Sequence, residues 1–254
     1  MISVVTGSHG FIGEHLVRKL ERSGHTVIRL ERTAIPPKQF DYFFHLAAYG
    51  NHRSQQDIEE MKRANIDRTW ELLRDSMDVP YVAFVNLSTS SVTLPVQTMY
   101  SATKHAGEHL CEAFVNKYDI PVISVRPSSV TGTGEQNFHL IPTLIRSCLN
   151  GEKMPFVGDS THDYIDVEDL IDGLLVIIKN RKKGETYNIS NNRKWSNEEV
   201  KQMVEKSVGK KANIKRVKSL REYDNDNWKI DNFKLLELGW KPKISLEKSI
   251  LSMV

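Results

Sequence analysis

The chain has 254 residues, 39% of them hydrophobic and 26% charged, enough for one large domain, or one domain with a small appendage, around a buried core. Its 35 basic and 32 acidic side chains leave a formal charge of +3, which gives no electrostatic footprint for nucleic acid. The longest apolar run, LLVII at 174–178, is too short to span a bilayer, and Cys111 and Cys148 lack C-x-x-C spacing and suggest a reducing compartment without a disulfide framework.

Taken in order, β-branched apolar runs alternate with amphipathic stretches, the pattern of a parallel sheet covered by helices on both faces. Strand ISVVT (2–6) enters at once, without a charged leader or an apolar signal core, so secretion is not expected. Helix 11–24, strand 26–30, strand 42–47, helix 58–76, strand 81–88, helix 100–118 and strand 121–127 follow. Gly24 stops the first helix, and Pro80 and Pro121 each stand just before a buried strand. After Pro127 the texture changes to a turn-rich stretch at 128–137, a helix at 140–151, a short strand at 154–158 and a mostly helical run at 163–179. Ser196 and Glu199 have the spacing of a capping box at the head of a helix over 196–209, and 230–250 reads as two short helices around a turn. The expected fold is α/β, a Rossmann-type doubly wound parallel sheet formed by 1–131 and completed by 160–190. Residues 132–159 and 191–254 are expected to form a small C-terminal substrate lobe.

The stretch TGSHGFIG places Gly7, Gly10 and Gly13 at three-residue intervals between the first strand and the first helix. Glycines there permit close backbone approach, and a helix N-terminus presents unpaired N–H groups to a phosphate. A second strand then ends at Glu31, placed to accept hydrogen bonds from an adenosine ribose. Glu31 repels a 2'-phosphate and Arg32 attracts one; NAD is expected, with NADP left open. Further on, strand FVNLS runs into Ser88, Thr89, Ser90 and Ser91, hydroxyls at the carboxyl end of a parallel strand. Tyr100 and Lys104 lie four residues apart with only small or polar residues between them, so one helix face can aim both at one point. The histidines and cysteines have no metal spacing, and Trp195, Trp228 and Trp240 read as packing residues. Arg181-Lys182-Lys183 and Lys210-Lys211 read as solvated turns.

In this order, TGSHGFIG, HLAAYG, NLSTSSV, YSATK, RPSSVTGTG, DYIDVEDL and LGWKP resemble the extended short-chain dehydrogenase/reductase family, the NAD-dependent epimerase/dehydratase group acting on nucleotide sugars. The resemblance covers nearly the whole chain. It implies Tyr100 as catalytic acid/base, Lys104 as the residue that binds the nicotinamide ribose and lowers the tyrosine pKa, and Thr89, with Ser90 in reserve, as the hydroxyl that orients substrate. It implies cofactor contacts from Gly7, His9, Gly10, Phe11, Ile12 and Gly13, from Glu31 and Arg32, from Leu46, Ala47 and Ala48, and from Lys104, Pro127 and Ser128. Asn65 matches a helix asparagine that steadies the cofactor loop. Substrate contacts are implied for Ser129, Asn137, His162 and Arg221, the last as a clamp on the diphosphate. A cytoplasmic homodimer joined through the helix of Tyr100 is expected, with a nucleotide sugar as substrate, no metal, no nucleic acid and no membrane.

Three departures qualify the resemblance. Only ten positions separate Glu31 from Asp41, so the usual intervening helix and strand, with their adenine contact, are expected to be missing. The spacing from Thr89 to Tyr100 is short, and Thr93 replaces a tyrosine. His162 stands where an arginine usually faces the diphosphate. Ser90-Ser91 stands where 4,6-dehydratases carry an Asp-Glu pair, which argues against that branch. A 4-epimerase is preferred to a keto-sugar reductase, and a non-catalytic NAD(P) sensor is the rival from another class.

Overall fold

The computed structural model describes residues 1–52, 54–180, 182–218 and 230–254; Arg181, Arg221 and Trp228 lie outside the described residues. The chain opens with β1 (Ile2–Thr6), α1 (Phe11–Arg22), β2 (Thr26–Leu30) and β3 (Tyr42–His45). Residues 31–41 contain no helix or strand, as their number suggests. Next come α2 (Ile58–Lys62), a π-helical turn (Arg63–Asp67) and α3 (Arg68–Ser76), which together fill the single helix expected from periodicity. β4 (Ala83–Leu87), a 3-10 turn (Ser90–Thr93), α4 (Met99–Tyr118) and β5 (Val122–Pro127) complete this half.

The second half alternates between the sheet and a lobe beside it. It runs through β6 (Ser129–Thr131), α5 (Leu140–Asn150), β7 (Met154–Phe156), β8 (Thr161–His162), β9 (Tyr164–Asp166) and α6 (Val167–Asn180). It continues with β10 (Thr186–Ile189), β11 (Trp195–Ser196), α7 (Asn197–Val208), β12 (Ile214–Arg216), α8 (Phe233–Glu237) and α9 (Leu246–Leu251). The stretch 128–137, expected as turn alone, begins with β6, because Ser129–Thr131 pairs in parallel with Tyr164–Asp166.

The main sheet has the order β10-β5-β4-β3-β1-β2, and all its neighbours run parallel. All its strands therefore end on the same edge, where ligands bind in such sheets. One face packs Val5, Phe44, Val85 and Val125 against Leu16 and Leu20 of α1 and Leu170 and Leu174 of α6. The other packs Val4, Phe43, Phe84 and Val122 against Leu72 and Leu73 of α3 and Phe114 of α4, with Phe43 and Phe84 stacked at 4.6 Å. A separate core joins α5, α7 and α9 through Leu144, Val204 and Ile250. Leu235 and Trp240 lie with the sheet core instead. Among the described residues, no helix is long and apolar enough to cross a membrane.

Candidate active site

The glycine turn leads directly from β1 into α1. Gly7 adopts φ 65°, and a Cβ there would lie 2.8 Å from the Ala47 backbone nitrogen, so the turn presses against the chain leaving β3. A Cβ at Gly13 would lie 2.1 Å from the Gly7 carbonyl oxygen. Gly10 caps α1 without a side chain, so no side-chain cap satisfies the first-turn N–H groups, the kind of donors an anion takes at a helix N-terminus. The Glu31 carboxylate is exposed at the end of β2, 3.8 Å from His9 Nε2. These residues fit a dinucleotide: a tight backbone cradle for its diphosphate and a free carboxylate for its ribose. Arg32 lies beside Glu60 of α2.

Tyr100 and Lys104 occupy the first turns of α4, whose start is set by a capping box between Thr98 and Ser101. What fixes this helix against the glycine turn is a buried chain of hydrogen bonds. The Leu46 and Ala47 N–H groups donate to Thr6 Oγ1, each at 3.2 Å, and Thr6 Oγ1 lies 2.8 Å from His45 Nδ1. His45 Nε2 lies 3.1 Å from Thr69 Oγ1, whose own proton goes to the Asn65 carbonyl. Thr69 must therefore accept from His45, which fixes the proton on Nε2 and makes Nδ1 the acceptor. Burial, aided by the cations of Lys104 and Arg68, pushes the His45 pKa down to about 3, in accord with a neutral ring. The Asn65 amide donates to the Tyr49 carbonyl (2.8 Å) and to Thr103 Oγ1 (2.9 Å), and Thr103 donates to the Tyr100 carbonyl. Gly107 completes the contact, since a Cβ there would lie 3.1 Å from the Asn65 carbonyl oxygen. The π turn holds Asn65 in this position.

Burial raises the Tyr100 pKa to about 12 and lowers that of Lys104 to about 8, the latter against the opposing pull of Cys111 and Glu108. Desolvation of the half-buried phenol sets the direction of the Tyr100 shift. Behind Lys104, Arg126 of β5 grips Glu108 through Nε and Nη2, at 2.9 and 2.5 Å.

The strand-end hydroxyls are less free than their composition suggests. Thr89 accepts from the Ser91 N–H and lies 3.1 Å from Ser91 Oγ, so its hydroxyl caps the 3-10 turn; Ser90 is buried. The Ser88 hydroxyl is also buried and has no partner among the described residues. Pro127 closes β5, Ser128 follows it, and Ser129 opens β6 beside Asp163, whose carbonyl accepts its N–H at 2.9 Å. The Asp163 carboxylate, 2% exposed, accepts from the Asn191 and Arg193 N–H groups, and burial raises its pKa to about 7. His162 pairs in register with Trp195 on the lobe side of the same segment. Ala48 and Asn137 are exposed, and Leu46 and Ala47 are half-buried beside the glycine turn. Sequence reasoning missed Thr6, His45, Thr69 and Thr103 as parts of the site; their signal was a polar residue at each strand or helix position facing the next. Among the described residues no group of three acidic, histidine or cysteine side chains is placed to hold a metal.

The sequence profile of the NAD dependent epimerase/dehydratase family matches residues 3–190. A low-salt glycan biosynthesis protein of Haloferax volcanii is 25% identical over 99% of this chain and 96% of its own. A dTDP-glucose 4,6-dehydratase of Haemophilus influenzae is 31% identical over 61% of this chain, and the match spans only 50% of that enzyme. The solved structure of a UDP-glucuronic acid 4-epimerase of Bacillus cereus, in complex with UDP-glucuronic acid and NAD, superposes with a TM-score of 0.91. It is 25% identical and covers 99% of this chain and 97% of its own.

Proposed function

The chain belongs to the NAD-dependent epimerase/dehydratase family, and we propose that it inverts C4 of a nucleoside-diphosphate sugar by removing and returning a hydride and a proton. One observation carries this reading: the buried chain Thr6–His45–Thr69–Asn65–Thr103 ties the glycine turn to the helix of Tyr100 and Lys104. A dinucleotide-binding protein without chemistry has no need to hold a phenol and an ammonium in register with that turn.

Bound NAD supplies a reversible hydride acceptor and, when oxidised, a positive charge. The chain's own part is the proton. At about 12, the Tyr100 phenol is protonated at neutral pH, and it becomes a base when a cation beside it offsets its burial. It then accepts the proton of the C4 hydroxyl and later returns it to the same oxygen, when hydride is delivered to the other face of C4. Thr89 exchanges its bond to Ser91 for the sugar oxygen and orients it, with Ser90 behind it. The glycine turn and Glu31 hold the dinucleotide, helped by His9, Leu46, Ala47, Ala48, Pro127 and Ser128. Ser129, Asn137 and His162 are assigned to the nucleotide sugar beside the lobe of α5, α7 and α9, and Arg221 is assigned to its diphosphate from the sequence resemblance.

One point supports epimerisation over dehydration. Water elimination needs an acid and a base beyond the hydride centre, and residues 88–93 offer hydroxyls but no carboxylate.

The test is a panel of UDP- and dTDP-sugars incubated with purified protein, with and without NAD(P)H, following absorbance and product stereochemistry together. Interconversion of C4 epimers without net dinucleotide consumption is expected. Stoichiometric loss of NAD(P)H would make the protein a reductase, and silence with every sugar would favour a sensor. We also propose a cytoplasmic homodimer, formed where Trp70 and Tyr118, 47% and 45% exposed, flank buried Phe114 on the α3–α4 face. Light scattering should give twice the chain mass; a monomer would remove this expectation.

A further inference from the structure

Lys104 is 3% exposed, yet among the described residues neither a hydrogen bond nor an ion pair holds its ammonium. An acid four residues further along a helix is a ready partner for a lysine, and Glu108, also buried, stands at that position. It is turned away. Arg126 of β5 takes both of its oxygens, Nε donating to Oε1 at 2.9 Å and Nη2 to Oε2 at 2.5 Å, so the carboxylate is bound to the strand and not to its own helix. The planar guanidinium fixes where that charge points.

The remaining groups around Lys104 do not replace Glu108 as a counter-charge. Lys104 acts on the ring of His45 on β3, which is neutral, and on the thiol of Cys111, which burial pushes up to about 12; Tyr100, one turn earlier, is protonated as well. Arg68 of α3 is held by Glu71 and by the Ala34 carbonyl. None of these is an anion at neutral pH. Glu108 is, and Arg126 sets its direction.

We propose that Arg126 is a positioning residue of the cofactor site: by holding the Glu108 carboxylate on β5, it leaves the Lys104 ammonium free for the dinucleotide. The proposal rests on the dinucleotide reading of the glycine turn and Lys104, and its test separates the two. Dissociation constants for NAD+ are measured by calorimetry from neutral to alkaline pH on the full chain as wild type, Arg126→Met, Glu108→Gln and the double variant, with circular dichroism to verify folding. In Arg126→Met the carboxylate is expected to turn onto Lys104, weakening NAD+ binding about fivefold near neutral pH and moving the alkaline loss of affinity to higher pH. Adding Glu108→Gln should restore binding to within about twofold of wild type. Glu108→Gln alone leaves the guanidinium uncompensated and should move the alkaline loss to lower pH. Wild-type affinity in Arg126→Met, or equal weakening in Arg126→Met and the double variant, would overturn the role of Arg126 and leave the cofactor site intact. If Arg126→Met does not fold, Glu108→Gln decides: an alkaline loss that stays in place or moves upward would overturn the proposal. Failure of wild type to bind NAD+ would instead overturn the cofactor site, and this proposal with it.

Discussion

At Tyr100 two requirements on one phenol conflict. Catalysis needs an ionisable group, yet burial raises its pKa to about 12. The positive charge that completes the base must then arrive with oxidised NAD. An ultraviolet difference titration of wild type against Tyr100→Phe should show no tyrosinate from Tyr100 below about pH 11 without ligand, and an earlier titration with saturating NAD+. Identical titrations in both states would contradict this. Lys104 is drawn down to about 8, so its charge is present below that pH and lost above it. Dinucleotide affinity should fall as pH rises through about 8 in wild type, a step that Lys104→Met should lack. The Tyr-Lys spacing was legible in the sequence; the direction of the tyrosine shift was not, because desolvation depends on what packs over the ring.

Among the elements, α1 and α4 matter most, and each is positioned by a close backbone approach. Gly13→Ala would drive a Cβ to 2.1 Å from the Gly7 carbonyl oxygen, where no flexible side chain can yield. Destabilisation by about 1–3 kcal/mol is expected by denaturant unfolding, with weakened NAD+ binding; a variant of wild-type stability and affinity would contradict the cradle. The glycine spacing announced this turn because the backbone itself makes the contact. The π turn at Arg63–Asp67 was invisible, since its apolar pattern continues that of the flanking helices. β10 also went unread: Thr186–Ile189 is short, and its pairing partner, β5, lies some 60 residues earlier (186 − 124 = 62).

For the whole molecule, Asp163 marks the crossing from sheet to lobe, binding the 191–193 turn through two backbone N–H groups. Burial raises its pKa from the ordinary 3.8 to about 7, so the native state favours the protonated form. The stability this provides is complete below about pH 4 and lost as pH rises through about 7. Denaturant midpoints should carry this downward contribution across the window, and Asp163→Asn should remove it; an unaltered slope would argue against the buried acid. The alternating strands and helices of the first 127 residues made the sheet legible, whereas the lobe depends on strand pairs of two or three residues that leave little pattern. The account as a whole turns on the proton handled by Tyr100. Its most direct measurement is the NMR-monitored interconversion of C4-epimeric nucleotide sugars, with NAD+ present, by wild type and by Tyr100→Phe of equal NAD+ affinity. Wild type is expected to equilibrate one epimer pair while the Phe variant is slowed by about 100- to 10,000-fold; a Phe variant as fast as wild type would contradict the account.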